Sequence, residues 1–178
     1  ISRNNEIANL KDPANPAFKF SSLYDSFKLN TYQFRIKFNA AHYFPAGKKS
    51  TLKTEINGGV FQSQDIFRNE LFQIGGNKLL RGFNEESIYA SQYAIFTAEY
   101  RYLTGINSYL FGFSDIGITK THFQTTNFTN NFLSAGLGLS FETKFGILNV
   151  SYAIGKRNDI KFDLREASKI HFGYINYF

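Results

Sequence analysis

Side-chain alternation, held over segments of roughly ten residues and repeated along the chain, is what most narrows the folds open to this sequence. Tyr32–Tyr43 places Tyr32, Phe34, Ile36, Phe38 and Ala40 on one parity and Gln33, Arg35, Lys37, Asn39 and Ala41 on the other. Thr51–Phe61 sets Leu52, Thr54, Ile56, Gly58 and Val60 against Lys53, Glu55, Asn57 and Gly59. Successive side chains of a strand point to opposite faces, so each segment reads as a strand with one apolar and one polar face. Phe132–Glu142, Ile147–Lys156 and Lys169–Phe178 repeat the pattern, the last with Ile170, Phe172, Tyr174 and Phe178 opposite Lys169, His171 and Gly173. Gln92–Leu103 and Asn107–Gly117 add two more. The total is about seven strands, each near the length that a tilted strand needs to cross a bilayer.

The connections alternate in length. Short turns fall at Pro45–Lys49, Thr104–Ile106 and Thr143–Phe145, and long polar segments at Gln62–Ser91, Ile118–Asn131 and Arg157–Ala167. An up-and-down antiparallel sheet with turns on one rim and loops on the other has this signature, as do outer-membrane barrels with short periplasmic turns and long external loops. A soluble sandwich or lipocalin-like barrel alternates equally well. The small and polar residues Gly136, Gly138, Ser140, Ser151, Ala153, Gly155 and Gly173 gather on the second face and favour a hydrated lumen. The expected fold is therefore all-β, an antiparallel transmembrane β-barrel with seven or eight of its strands present. An eighth strand would come from Ala17–Leu23.

Composition narrows function. The 178 residues include 21 Phe and 11 Tyr, which argues against disorder, and the absence of Cys removes disulfides, thiolate metal sites and thiol chemistry. No apolar run approaches the roughly 18 residues of a spanning helix. His42, His122 and His171 lie on separate segments without metal-ligand spacing, and Glu85-Glu86 reads as a solvated pair. No catalytic residues, metal or cofactor are expected. The net charge of +6 is spread along the strands rather than clustered with exposed aromatics, so no nucleic-acid partner is expected. Lys48-Lys49 and Lys156-Arg157 sit at turns or loop roots, where they suit lipid headgroup or lipopolysaccharide phosphates.

One loop stands apart. Ile74–Phe83 reads IGGNKLLRGF, a buried-type cluster of Leu79, Leu80 and Phe83 around one arginine within a polar segment. It lacks P-loop spacing. Leu80-Arg81-Gly82-Phe83 resembles the Leu/Val-Arg-Gly-Phe/Tyr loop motif of the BamA/TamA-type outer-membrane protein assembly superfamily, the bacterial surface antigen family. Further along, the run Phe111–Gly117 (FGFSDIG) resembles that family's second signature, with Ala98–Tyr102 between them as the intervening strand. The final strand is similar to the C-terminal insertion signal in His171, Gly173 and Phe178, and departs from it at Asn176. The resemblance covers about Thr31 to Phe178.

It implies a bacterial outer-membrane location and a loop that folds back into the barrel, with nascent outer-membrane proteins as possible cargo. On parity, Glu99 shares a face with Thr97 and Arg101, and Asp115 with Tyr109, Phe111 and Phe113. An arginine taken into a barrel needs carboxylates. Arg81 is thus expected to pair with Asp115 and secondarily with Glu99, while Gly82 permits close backbone approach and Phe83 packs on Phe111 and Phe113. Gly117 closes the second signature.

Family barrels have about sixteen strands preceded by POTRA domains. Residues 1–178 therefore read as the C-terminal part of such a barrel, with 1–30 a loop or partial strand, 62–91 a long in-folding loop, and no POTRA domain. The missing wall is expected from the same protein, from self-closure, or from a second copy. The implied function is the membrane-embedded portion of an outer-membrane assembly or translocation factor. The alternative is a structural or passive-pore barrel without insertase activity.

Overall fold

The computed structural model describes residues 2–4, 30–63, 66–123 and 126–176. Along the chain run β1 (Ser2–Asn4), β2 (Asn30–Pro45), β3 (Ser50–Ser63), β4 (Phe72–Ile74), β5 (Ile88–Ala90), β6 (Gln92–Leu103), β7 (Tyr109–Phe123), β8 (Thr126–Thr143), β9 (Gly146–Arg157), α1 (Leu164–Ala167) and β10 (Ser168–Asn176). Strands β2, β3, β6, β7, β8, β9 and β10 form one antiparallel meander in that order, and three-residue β1 pairs on the outer side of β2. Strands β4 and β5 form a separate two-stranded ribbon within the segment joining β3 to β6.

Register turns the sequence alternation into two continuous surfaces. One cross-strand row runs Phe44, Leu52, Tyr100, Gly112, Leu137, Tyr152, Ile170. This face is exposed, with Leu137 at 72% and Phe172 at 71%. On the opposite, inner face one row runs Glu55, Thr97, Asp115, Ser134, Gly155. A large exposed apolar face combined with a polar inner row inverts the usual distribution of a soluble protein.

The core lies between the inner face and the β3–β6 segment. Phe61, Ile95 and Phe132 from the sheet meet Ile66, Leu71, Phe72, Ile74, Leu80 and Ile88 from the segment. A second, smaller cluster joins Phe111, Phe113 and Ala153. The inner face is therefore not the hydrated surface of glycine, serine and charge that the alternation predicts. Gly136 and Gly138 are seats for the Phe113 and Phe111 rings, which come within 2.6 and 2.3 Å of where a Cβ would stand. Inward aromatics also extend beyond Phe83, Phe111 and Phe113 to Phe61, Phe72 and Phe132.

Two other expectations are corrected. The sheet does not close into a barrel: among the described residues β10 pairs only with β9, and β2 carries only β1 on its free side. A closed eight-stranded barrel has room inside for side chains alone, whereas this inner face accommodates a whole backbone segment with its own ribbon, which needs a gentler curve. Residues Ile118–Asn131 are not a long loop either. Strands β7 and β8 continue into them and stay paired as far as Phe123 opposite Thr126. Thr119, Thr121 and Ile118 are β-branched and support extension despite the polar surroundings. Ala17–Leu23 and Phe178 lie outside the described residues, as does most of 1–30.

Candidate functional site

The IGGNKLLRGF segment folds back onto the inner face by a series of left-handed backbone turns. Gly75 and Gly76 have φ of 108° and 109°, Gly82 has 88°, and Leu80 has 61°. For a side chain as bulky as leucine that region is strained, costing on the order of 1–2 kcal/mol. Burial offsets it: Leu80 packs on Ile95 and on Gly117, where a Cβ would lie 3.1 Å from Leu80 Cδ1. Gly117 thus supplies the space into which Leu80 fits.

The turn at Leu80 aims Arg81 at β6 and β7. Its Nε donates to Asp115 Oδ2 at 3.1 Å and its Nη2 to Asp115 Oδ1 at 2.9 Å, a bidentate fork, while its main-chain N–H donates to Oδ2 at 3.0 Å. Nη1 donates to Glu99 Oε2. The guanidinium carbon stands 3.4 Å from the centroid of the Phe113 ring. Asp115 is completely buried and Glu99 only 4% exposed. Asp115 Oδ1 also accepts from Thr97 Oγ1 at 2.9 Å, and Ser134 Oγ approaches Oδ2 at 3.5 Å. Thr97 and Ser134 are the direct cross-strand neighbours of Asp115, so the sheet register itself supplies these donors.

The charges form a neutral chain. Glu99 Oε1 accepts from Arg101 Nε at 2.8 Å, giving the order Asp115, Arg81, Glu99, Arg101. Burial alone would push the Arg81 guanidinium down. The hydrogen bonds and charge of Asp115, then those of Glu99, more than offset this and hold its pKa above the ordinary arginine value. Every strong acceptor position on Asp115 is filled, so the cluster suits holding a segment in place rather than proton transfer.

On the other side of Arg81 the loop reaches β9 and β10. Gly82 lies against Gly155: a Cβ on Gly82 would fall 2.8 Å from Gly155 N, and one on Gly155 would fall 2.6 Å from Gly82 O. Only two glycines allow that approach. The Gly82 N–H donates to Nε2 of buried His171 at 3.0 Å. Phe83 stacks edge-on against Phe132 at 5.2 Å between centroids and covers Gly155. It does not pack on Phe111 and Phe113 as the sequence predicts. The Gly82–Gly155 contact carries the chain toward β8 and β9, and the Arg81 guanidinium takes the face of Phe113 instead.

The structure thus brings Arg81, Gly82, Glu99, Asp115, Gly117 and His171 into one constellation, with Phe83 at its margin. His171 and Gly173, read from sequence as parts of a terminal signal, both face the loop. The Asn77 amide nitrogen lies 2.5 Å from where a Gly173 Cβ would stand. Thr97, Ser134, Gly155 and Arg101 were missed as site residues. Parity placed Thr97 and Arg101 on the right face, but nothing local singled out Gly155 among the other small residues of β8 and β9. Among the described residues, no group of His, Asp and Glu is arranged to hold a metal ion.

No curated protein matches the chain. A family model described as the Omp85 superfamily domain matches residues 18–174, a span that includes the whole constellation.

Proposed function

Because the chain belongs to the Omp85 superfamily, which is associated with the bacterial outer membrane, we propose that it is the membrane-embedded wall of an outer-membrane protein assembly or translocation factor, with Leu80-Arg81-Gly82-Phe83 locked against its inner face. The observation that carries this reading is the pairing of a continuous exposed apolar face with a buried, charge-neutral clamp on the other side. Lipid is the environment in which rows such as Leu52, Tyr100, Leu137, Tyr152 and Ile170 are at home. Unpaired backbone groups at a sheet edge cost several kcal/mol each in hydrocarbon. The edges at β2 and β10 are therefore completed by further strands, from the same protein or from a second copy. Lipid and lipopolysaccharide surround the wall, and nascent outer-membrane proteins are its cargo.

The test is Arg81→Ala in the native full chain, read by insertion of a model outer-membrane protein into vesicles and by ion conductance in a planar bilayer. Loss of insertion at unchanged conductance supports an assembly or translocation role. Altered conductance with no insertion activity in the parent protein assigns the chain instead to a structural or passive-pore barrel.

A further inference from the structure

We propose that His171 is a neutral-imidazole latch that positions the loop tip on the edge strand β10, and that protonation of this ring releases it. The proposal stands on the wall and loop alone, whether or not the chain moves any cargo.

The chemistry of one hydrogen bond carries the argument. A backbone N–H can only donate, so the Gly82 N–H, 3.0 Å from His171 Nε2, requires a lone pair on that nitrogen. The ring is therefore neutral, with its proton on Nδ1. An imidazolium carries N–H on both nitrogens and would set one donor against another. His171 is only 8% exposed, so water does not readily take the place of the lost acceptor.

Charges of both signs face the ring. The charged groups facing it are Arg81 and Glu85 from the loop, Asp115 from β7 and Lys169 from β10. Asp115 is occupied by Arg81 and Thr97, and Glu85 Oε2 accepts the main-chain N–H of Asn77 at 3.1 Å. From β9, the residue directly opposite is Ser151, whose buried hydroxyl has no partner among the described residues. By linkage, a contact made only with the neutral form is complete at high pH and is lost as pH falls through the histidine's titration.

Position gives the latch its consequence. Arg81 ties the loop to β6 and β7, and the next residue ties it to β10, 89 residues further along the chain. Asn77 over Gly173 reinforces the second tie. The loop thus spans the inner face from the middle of the wall to its edge strand, and the imidazole is the titratable link at the edge.

The test uses the native full chain in micelles. First, ¹⁵N-histidine NMR is recorded on a form with the exposed His42 and His122 replaced by Gln, which leaves His171 as the one histidine. The Nδ1–H tautomer is expected at a pH of about 8. The Nε2–H tautomer there would overturn the proposal without any change at residue 171. Second, hydrogen–deuterium exchange of residues 75–87, corrected for intrinsic rates, is compared between pH values of about 8 and about 5. Opening about tenfold more frequent at the lower pH is expected for the parent chain. In His171→Gln the amide oxygen accepts from Gly82 but does not titrate, so protection should persist and lose its pH dependence. His171→Ala should open readily at both pH values. A pH dependence that survives in His171→Gln assigns the effect to another group and refutes the latch.

Discussion

Removing the Arg81 side chain tests the clamp most directly. Arg81→Ala deletes two hydrogen bonds to Asp115, one to Glu99 and the contact with Phe113, but keeps the main-chain bond to Asp115 Oδ2. Glu99 retains Arg101. Asp115, fully buried, is left with only neutral donors around its carboxyl group. Stripping one partner from a buried pair costs about 3–5 kcal/mol, chiefly through the charge left behind. If that loss falls on the docked loop, the opening equilibrium of residues 75–87 shifts by roughly two to four orders of magnitude. Amide exchange of that segment reads the shift directly. The decisive comparison is the cycle with Asp115→Ala: once both charges are gone no orphan remains, so the double variant should fall short of the summed singles by about 2 kcal/mol or more. Arg81→Lys should recover little, because an ammonium cannot reproduce the fork on Asp115 while reaching Glu99. Additive single effects, or a lysine variant as protected as the parent, would refute the reasoning.

Three further outcomes follow from particular contacts. Gly155→Ala puts a Cβ 2.6 Å from Gly82 O and 2.9 Å from the Phe83 ring. It should expose residues 84–87 to limited proteolysis while far-UV circular dichroism of the sheet is unchanged. At Leu80 the usual order of substitutions should reverse: Leu80→Ala loses buried packing worth about 2–5 kcal/mol, whereas Leu80→Gly loses similar packing but relieves the positive φ, so Gly should be the more stable by about 1 kcal/mol, as read by denaturant titration of loop exchange. On the exposed face, Leu137→Arg should reduce incorporation into lipid vesicles, at a cost of about 2–4 kcal/mol near a bilayer midplane. A protein that partitions into buffer and tolerates this change would not be a membrane wall.

Strand existence and facing were legible because they depend on a two-residue repeat. The parity of Glu99 with Thr97 and of Asp115 with Phe113 is a local property, and the residues of that parity from Tyr93 to Leu103 and from Tyr109 to Thr121 are buried or half-buried on the inner side. Naming the Arg81 partners needed more than parity: the in-folding of the loop was implied by the resemblance of Leu80–Phe83 and Phe111–Gly117 to the superfamily's motifs, and parity then put Glu99 and Asp115 on the inward face where a buried guanidinium demands carboxylates. The hairpin of β7 and β8 was misjudged because polar threonines and asparagines signal loop by composition, while their β-branched members extend once a cross-strand partner is present.

What the sequence by itself determined was which residues share a face; that the inner face is packed by the β3–β6 segment rather than hydrated was decided by the tertiary structure. Tertiary structure decided which members of those faces meet: Gly82 with Gly155 and His171, Phe83 with Phe132 rather than Phe113, Asn77 with Gly173. The physical reason lies in range. Parity is set by the alternation of each strand's own backbone, but where a loop tip lands depends on the register summed over several strand pairs and on the sheet's curvature. Among the described residues the sheet that admits this backbone segment ends with β10 paired only to β9 and with three-residue β1 alone on the outer side of β2.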